Sequence, residues 1–113
     1  MHELGLCDAM LRMVRNIVKE EKPEGVSSVT VEVGTLSGVI PHFLTDCWNA
    51  VIDGTEFQDT KLIVETVEGK AQCFDCGCEF TADVEKLICP ECGSNKLTPV
   101  SGKDMTIREV EIF

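Results

Sequence analysis

Four cysteines carry the clearest chemistry in this 113-residue sequence: Cys73, Cys76, Cys89 and Cys92. They stand as Cys73-Phe74-Asp75-Cys76-Gly77 and Cys89-Pro90-Glu91-Cys92-Gly93, with twelve residues between the pairs. Two Cys-x-x-Cys hooks at this separation can close on one tetrahedral metal ion, and zinc is the default occupant. The glycine after each hook fits that chemistry. A turn that aims backbone N–H groups at a thiolate needs a residue tolerant of positive φ, and those N–H groups support the ligands from behind. Iron is the rival, because a tetrahedral thiolate cage also suits it. Disulfides are disfavoured, since nothing else marks a secreted chain. Four thiolates leave no open position for a substrate, so zinc here reads as structural. Cys78 is a fifth sulfur nearby, and a complete shell of four makes it a bystander.

The second chemical stretch is Met1-His2-Glu3. An N-terminal amine, backbone amides and an imidazole form a chelate of nitrogen donors. Such donors in a plane suit Ni(II) or Cu(II). Glu3 adds a carboxylate, or an acceptor that orients the imidazole. Donor chemistry alone does not decide the matter, because a histidine near a chain end is usually solvated and mobile. The other histidine, His42, follows Pro41 at a helix start. That is the wrong end for a dipole-stabilised cation, so it reads as an exposed polar residue.

These groups need a scaffold, and the hydrophobic pattern supplies one. Cys7, Met10, Leu11, Val14, Ile17 and Val18 recur at helical spacing, predicting a helix over 4–21 that stops at Lys22-Pro23. Val29, Val31 and Val33 alternate with Ser28, Thr30 and Glu32, predicting a strand over 26–34 with one buried face. A second helix is expected from Pro41 to Ile52, presenting Phe43, Leu44, Cys47, Trp48, Val51 and Ile52. Strands follow at 61–67 and 105–113, the last with a change of phase that a bulge near Arg108-Glu109 would reconcile. The expected fold is α+β: two helices packed on a small three-stranded sheet, with an inserted zinc-ribbon-like module. Residues 1–69 and 100–113 form the α+β domain, and residues 70–99 the metal module. About 30 residues bury too little apolar area to fold alone, so the metal must supply the folding free energy.

Composition narrows the function. Twenty acidic against ten basic residues leave a net charge of −10. Between Cys73 and Cys92 lie Asp75, Glu79, Asp83, Glu85 and Glu91, against the single base Lys86. That argues against nucleic acid, where affinity comes from neutralising phosphates. No run of about 20 apolar residues suggests a membrane span. The first apolar stretch is broken by Asp8, Arg12 and Arg15 and does not read as an export signal. Seven cysteines without such a signal point to a reducing cytoplasm. No catalytic triad, P-loop or dinucleotide fingerprint is present, so no enzyme is expected.

Met1-His2-Glu3 opening a helix, the strand Val29–Val33 ending in Gly34 with Ser37 three residues on, and the paired hooks together resemble the hydrogenase maturation factor HypA (HybF) family. The resemblance covers nearly the whole chain and implies a nickel metallochaperone without catalytic turnover. It implies a structural zinc on Cys73, Cys76, Cys89 and Cys92, and transient Ni(II) cargo at Met1, His2 and the region of Glu3. It also implies a GTPase partner, HypB, and a [NiFe] hydrogenase large subunit as client, with urease maturation served by some members. Some relatives carry an acidic residue in the loop after the first strand. Here that loop reads Gly38-Val39-Ile40-Pro41-His42, with no carboxylate. The alternatives are a rubredoxin-like iron electron carrier, for which some 70 residues would be unexplained, and a zinc-ribbon protein-interaction adaptor. Monomer and homodimer are both compatible with the sequence.

Overall fold

The first helix, α1 (Glu3–Glu21), buries the stripe that periodicity picks out: Cys7, Met10, Leu11 and Val14 are all buried. The computed structural model describes residues 3–113. α1 ends where Lys22 turns to φ 49°, its N–H still reaching the Val18 carbonyl at 2.8 Å, and Pro23 bars continuation. Strand β1 (Val26–Gly34) places Val29, Val31 and Val33 in the interior at 1% exposure or less. Helix α2 (Pro41–Ile52) starts on Pro41, which has no N–H to leave unpaired, with Ile40 as N-cap. Leu44, Trp48 and Ile52 are its buried residues. Phe43, expected on that face, is exposed instead, and its ring lies 4.5 Å from that of His42.

The remaining elements are β2 (Lys61–Val67), β3 (Lys70–Cys73), β4 (Glu79–Thr81), β5 (Leu97–Ser101) and β6 (Met105–Ile112). They form two three-stranded sheets, ordered β2-β1-β6 and β4-β3-β5. The first contains the three strands that the sequence predicts. In β6, Met105, Ile107 and Val110 are half-buried, the odd interval carrying the expected change of phase. The second sheet was not legible in advance.

The chain forms two compact units. One comprises the chain up to Glu32, Ile40–Glu65 and Thr106–Phe113. Its core joins α1 and α2: the buried Cys7 thiol donates to the Leu44 carbonyl at 3.5 Å. Burial pushes the Cys7 pKa up to about 12, so it behaves as a small apolar group rather than a nucleophile. The Trp48 indole N–H donates to the Thr60 carbonyl at 3.1 Å, and the Thr60 hydroxyl donates to the Val26 carbonyl at 2.8 Å.

The other unit comprises Val33–Val39 and Thr66–Met105. It is wider than residues 70–99 because three short segments interlock around the β1 turn. Thr35 N–H donates to the Val67 carbonyl at 2.9 Å, and Leu36 N–H to the Gly102 carbonyl at 2.9 Å. The Thr35 hydroxyl accepts from Gly69 N–H at 2.8 Å. A Cβ on Gly34 would lie 2.0 Å from the Gly102 carbonyl oxygen, so glycine alone permits this approach.

Candidate metal centre

Each hook is a tight turn built by the same bonds. Gly77 N–H donates to the Cys73 carbonyl and Gly93 N–H to the Cys89 carbonyl, both at 2.9 Å. Cys73 N–H reaches the Cys78 carbonyl and Cys89 N–H the Ser94 carbonyl, both at 2.8 Å. The repeat is i to i+5 in each case. The two glycines adopt φ 76° and 74°, as the sequence predicts. The Ser94 hydroxyl donates to the Asp75 carboxylate at 2.5 Å and accepts from Lys96 N–H at 3.1 Å, which ties the second hook to the first. The sheet behind is antiparallel, with Ala71 opposite both Phe80 and Pro99.

This frame brings the four sulfurs together, all within 4.8 Å of one another. Cys73 and Cys92 Sγ are 3.5 Å apart, and Cys76 and Cys89 Sγ 3.6 Å. A tetrahedron with metal–sulfur bonds of about 2.3 Å has edges of about 3.8 Å, so the set is the right size for zinc. Cys73 and Cys89 are buried; Cys76 and Cys92 face outward. The Cys76 N–H holds the Cys73 thiol down, to about 7. The Ser94 N–H lowers Cys92, but hydrogen bonding with Cys73 and burial outweigh it and carry that thiol up to about 12. Thiols this close compete for charge, and a bound divalent cation is what allows all four to ionise. Cys78 lies outside the set; its sulfur contacts the Glu79 carbonyl at 3.8 Å, and burial raises its pKa.

The glycine turns give a direct test. Nothing lies within 4 Å of a Cβ added at Gly77, so Gly77→Ala carries only the conformational cost of left-handed backbone. That cost is roughly 1–2 kcal/mol. Zinc affinity is expected to fall by about 5- to 30-fold, read by competition with a chromogenic chelator. Unchanged affinity would mean that the turn relaxes freely.

The second expected site falls largely elsewhere. Met1 and His2 lie outside the described residues. Glu3 is buried, its Oε2 accepting from Ile40 N–H at 3.4 Å. His42 is exposed, with Nδ1 3.9 Å from Asp46. The inward turn of Glu3 and the Asp75–Ser94 link between the hooks escaped sequence reasoning, because no spacing rule marks either.

Residues 1–112 match the family described as hydrogenase/urease nickel incorporation, metallochaperone, HypA. The hydrogenase maturation factor HypA of Aquifex aeolicus is 34% identical over 99% of this chain and 97% of its own length. That of Dechloromonas aromatica is 33% identical over 99% of each. The fold is that of the solution structure of the Ni metallochaperone HypA from Helicobacter pylori. The TM-score is 0.67 at 18% identity, over 99% of this chain and 97% of that one.

Proposed function

The chain belongs to the HypA family of nickel-incorporation metallochaperones, and from that premise we propose that it binds Ni(II) at its N-terminus and delivers it for [NiFe] hydrogenase maturation. The observation that carries this reading is the family match running from residue 1 through residue 112, because it takes in Met1-His2-Glu3 as well as both cysteine hooks. The Met1 amine, the adjoining amide and the His2 imidazole supply nitrogen donors of the kind that Ni(II) favours. Glu3 belongs to the same stretch, as a carboxylate ligand or as an acceptor that orients the imidazole. A chain end suits cargo, since its ligands can be exchanged for those of an acceptor.

The four thiols are assigned to one structural zinc, which the size of the cluster supports. Zinc would be held by Cys73, Cys76, Cys89 and Cys92, and would supply folding free energy rather than reactivity. We assign nickel handling to residues 1–69 and 100–113 and zinc to 70–99, and place the protein in the cytoplasm. Its partners in this reading are a HypB-like GTPase and a hydrogenase large subunit. Curated relatives named as hydrogenase maturation factors favour that client. Among the described residues, no helix is long and apolar enough to cross a membrane.

The test uses untagged protein with its native Met1. One zinc per chain and one further equivalent of nickel are expected by elemental analysis and Ni(II) titration. His2→Ala is expected to weaken nickel binding at least about 100-fold, since even a group that merely supports a ligand is worth 10- to 100-fold. Zinc content and helical circular dichroism should not change. Retained one-to-one nickel in His2→Ala overturns the N-terminal site. A red protein containing iron overturns the zinc assignment.

A further inference from the structure

The two cysteine hooks are anchored unequally. The first is the turn between two paired strands: β3 ends on Cys73 and β4 begins at Glu79. The second, residues 89–93, belongs to no strand. It hangs in the connection 82–96, between the end of β4 at Thr81 and the start of β5 at Leu97. The bonds from Cys89 N–H to the Ser94 carbonyl and from Gly93 N–H to the Cys89 carbonyl shape this hook but do not place it. Two bonds to the first hook do. Phe74 N–H donates to the Lys96 carbonyl at 2.8 Å, and the Ser94 hydroxyl donates to the Asp75 carboxylate at 2.5 Å. A hydrogen bond to a charged acceptor is about twice as strong as a neutral one.

The hydroxyl–carboxylate bond backs one edge of the sulfur cluster. Cys73 and Cys92, one from each hook, have Sγ atoms 3.5 Å apart. Asp75 and Ser94 stand two residues beyond them. The Cys76 N–H leads in favouring the Cys73 thiolate, followed by the Cys92 thiol and the Asp75 N–H; the Ser94 N–H leads in favouring the Cys92 thiolate. Asp75 and Ser94 therefore act on a ligand sulfur through the backbone and on each other through the side chain. The link is also single. In the repeat of the hooks, Glu91 takes the place of Asp75 and Cys78 the place of Ser94. A thiol is a weak donor, and the Cys78 sulfur contacts the Glu79 carbonyl at 3.8 Å instead. No matching bond forms there among the described residues.

We propose that Asp75 and Ser94 are positioning residues of the metal centre: their hydrogen bond latches the second hook to the first and sets the rate of metal release. This rests on the zinc assignment above. Cys76 and Cys92 face outward, so a competing chelator approaches from their side. A thiolate that lets go of the ion but is held in place rebinds before the next is lost, because its effective concentration stays high. With the latch closed, Cys92 stays beside Cys73. With it broken, the second hook is free to move on the 82–96 connection, and rebinding slows.

The test follows zinc release from the full-length, zinc-loaded protein into excess chromogenic chelator. Asp75→Ala and Ser94→Ala are each expected to release zinc about 10- to 100-fold faster, the range for losing a group behind a ligand. Both remove the same bond, so the double variant should be no faster than the faster single one. Ser94→Thr keeps the hydroxyl and should restore the native rate. Asp75→Asn keeps an acceptor without the charge and should fall between native and Asp75→Ala. Asp83→Ala is the control. The Asp83 carboxylate accepts from Glu85 N–H at 3.0 Å in the same unit but does not join the hooks, so its loss should leave the rate native. With Co(II) in place of zinc, the spectrum of four-sulfur coordination should be the same in native protein and Asp75→Asn. A changed spectrum makes Asp75 a ligand and overturns the inference. So does a native release rate in folded Asp75→Ala, a double variant whose effects multiply, or equally fast release from Asp83→Ala. Native protein that holds no zinc overturns both this inference and the assignment beneath it.

Discussion

Cys73→Ser is expected to unfold the cysteine unit while leaving both helices intact. The buried apolar residues of that unit are few: Val33, Ala71, Cys73, Ala82 and Cys89. Two of them are alanines and two are candidate ligands, so little remains to hold the unit once the metal is lost. Structural zinc in finger peptides is worth about 10–16 kcal/mol at neutral pH. No packing available to β3, β4 and β5 replaces that. A serine hydroxyl does not ionise in this range, so the variant offers three thiolates where four close the shell.

Zinc per chain should drop well below one, and amide protection across residues 70–101 should vanish. Both helices belong to the other unit, so helical circular dichroism should persist. So should the emission of Trp48, the single tryptophan, which is fully buried there. Loss of the helical signal would show that the two units unfold as one. Zinc retained at one per chain would mean that a fifth sulfur substitutes, and Cys73→Ser with Cys78→Ser would identify it. Acid should act in the same direction as the mutation, because protons compete with the metal for every thiolate.

The parts of this protein that were legible share one property: each is a local pattern with a physical period or spacing. Val29, Val31 and Val33 alternate, and all three are buried. The 7, 10, 11, 14 spacing of α1 reports its buried face, and Lys22-Pro23 its end. The hooks announce their own turns through Gly77 and Gly93. The illegible parts are non-local. β3, β4 and β5 are four, three and five residues long, too short for alternation to rise above chance, and the hooks interrupt them. Their pairing follows from closing the hooks, not from their own sequence. Phe43 lies at a correct helical interval yet is exposed, since the first turn of a helix need not lie over the core. Glu3 runs the other way. The sequence reads it as a carboxylate ligand or an acceptor for the imidazole, and nothing local announces the α2 N-cap that meets its buried side chain from 37 residues away.

Trp48→Ala is expected to be the most damaging single change in the helical unit. Trp48 is fully buried and has the largest side chain among the wholly buried residues. It does two jobs. Its ring is wholly buried in the interior, and its N–H pairs with the Thr60 carbonyl just ahead of β2. Thr60 is itself 4% exposed and carries the connection on to Val26. Truncation leaves a cavity costing about 3–5 kcal/mol. It also leaves the Thr60 carbonyl without its donor. Domains have only about 5–15 kcal/mol of stability in total, so Trp48→Ala should be partly or wholly unfolded at 37 °C.

Trp48→Phe separates the two contributions. It keeps most of the apolar bulk and loses the N–H, at a cost of about 1–3 kcal/mol for the stranded carbonyl. At about 4–8 °C per kcal/mol in a small domain, that is a drop in melting temperature of roughly 4–24 °C. Thermal melts followed at the helical band measure both variants. Zinc content measured alongside should stay at one per chain, because Trp48 lies outside the unit that holds the four hook cysteines. A Trp48→Phe melt equal to that of the native protein would show that the Thr60 carbonyl finds another donor. A parallel loss of zinc in Trp48→Ala would show that the cysteine unit depends on the helical one to fold.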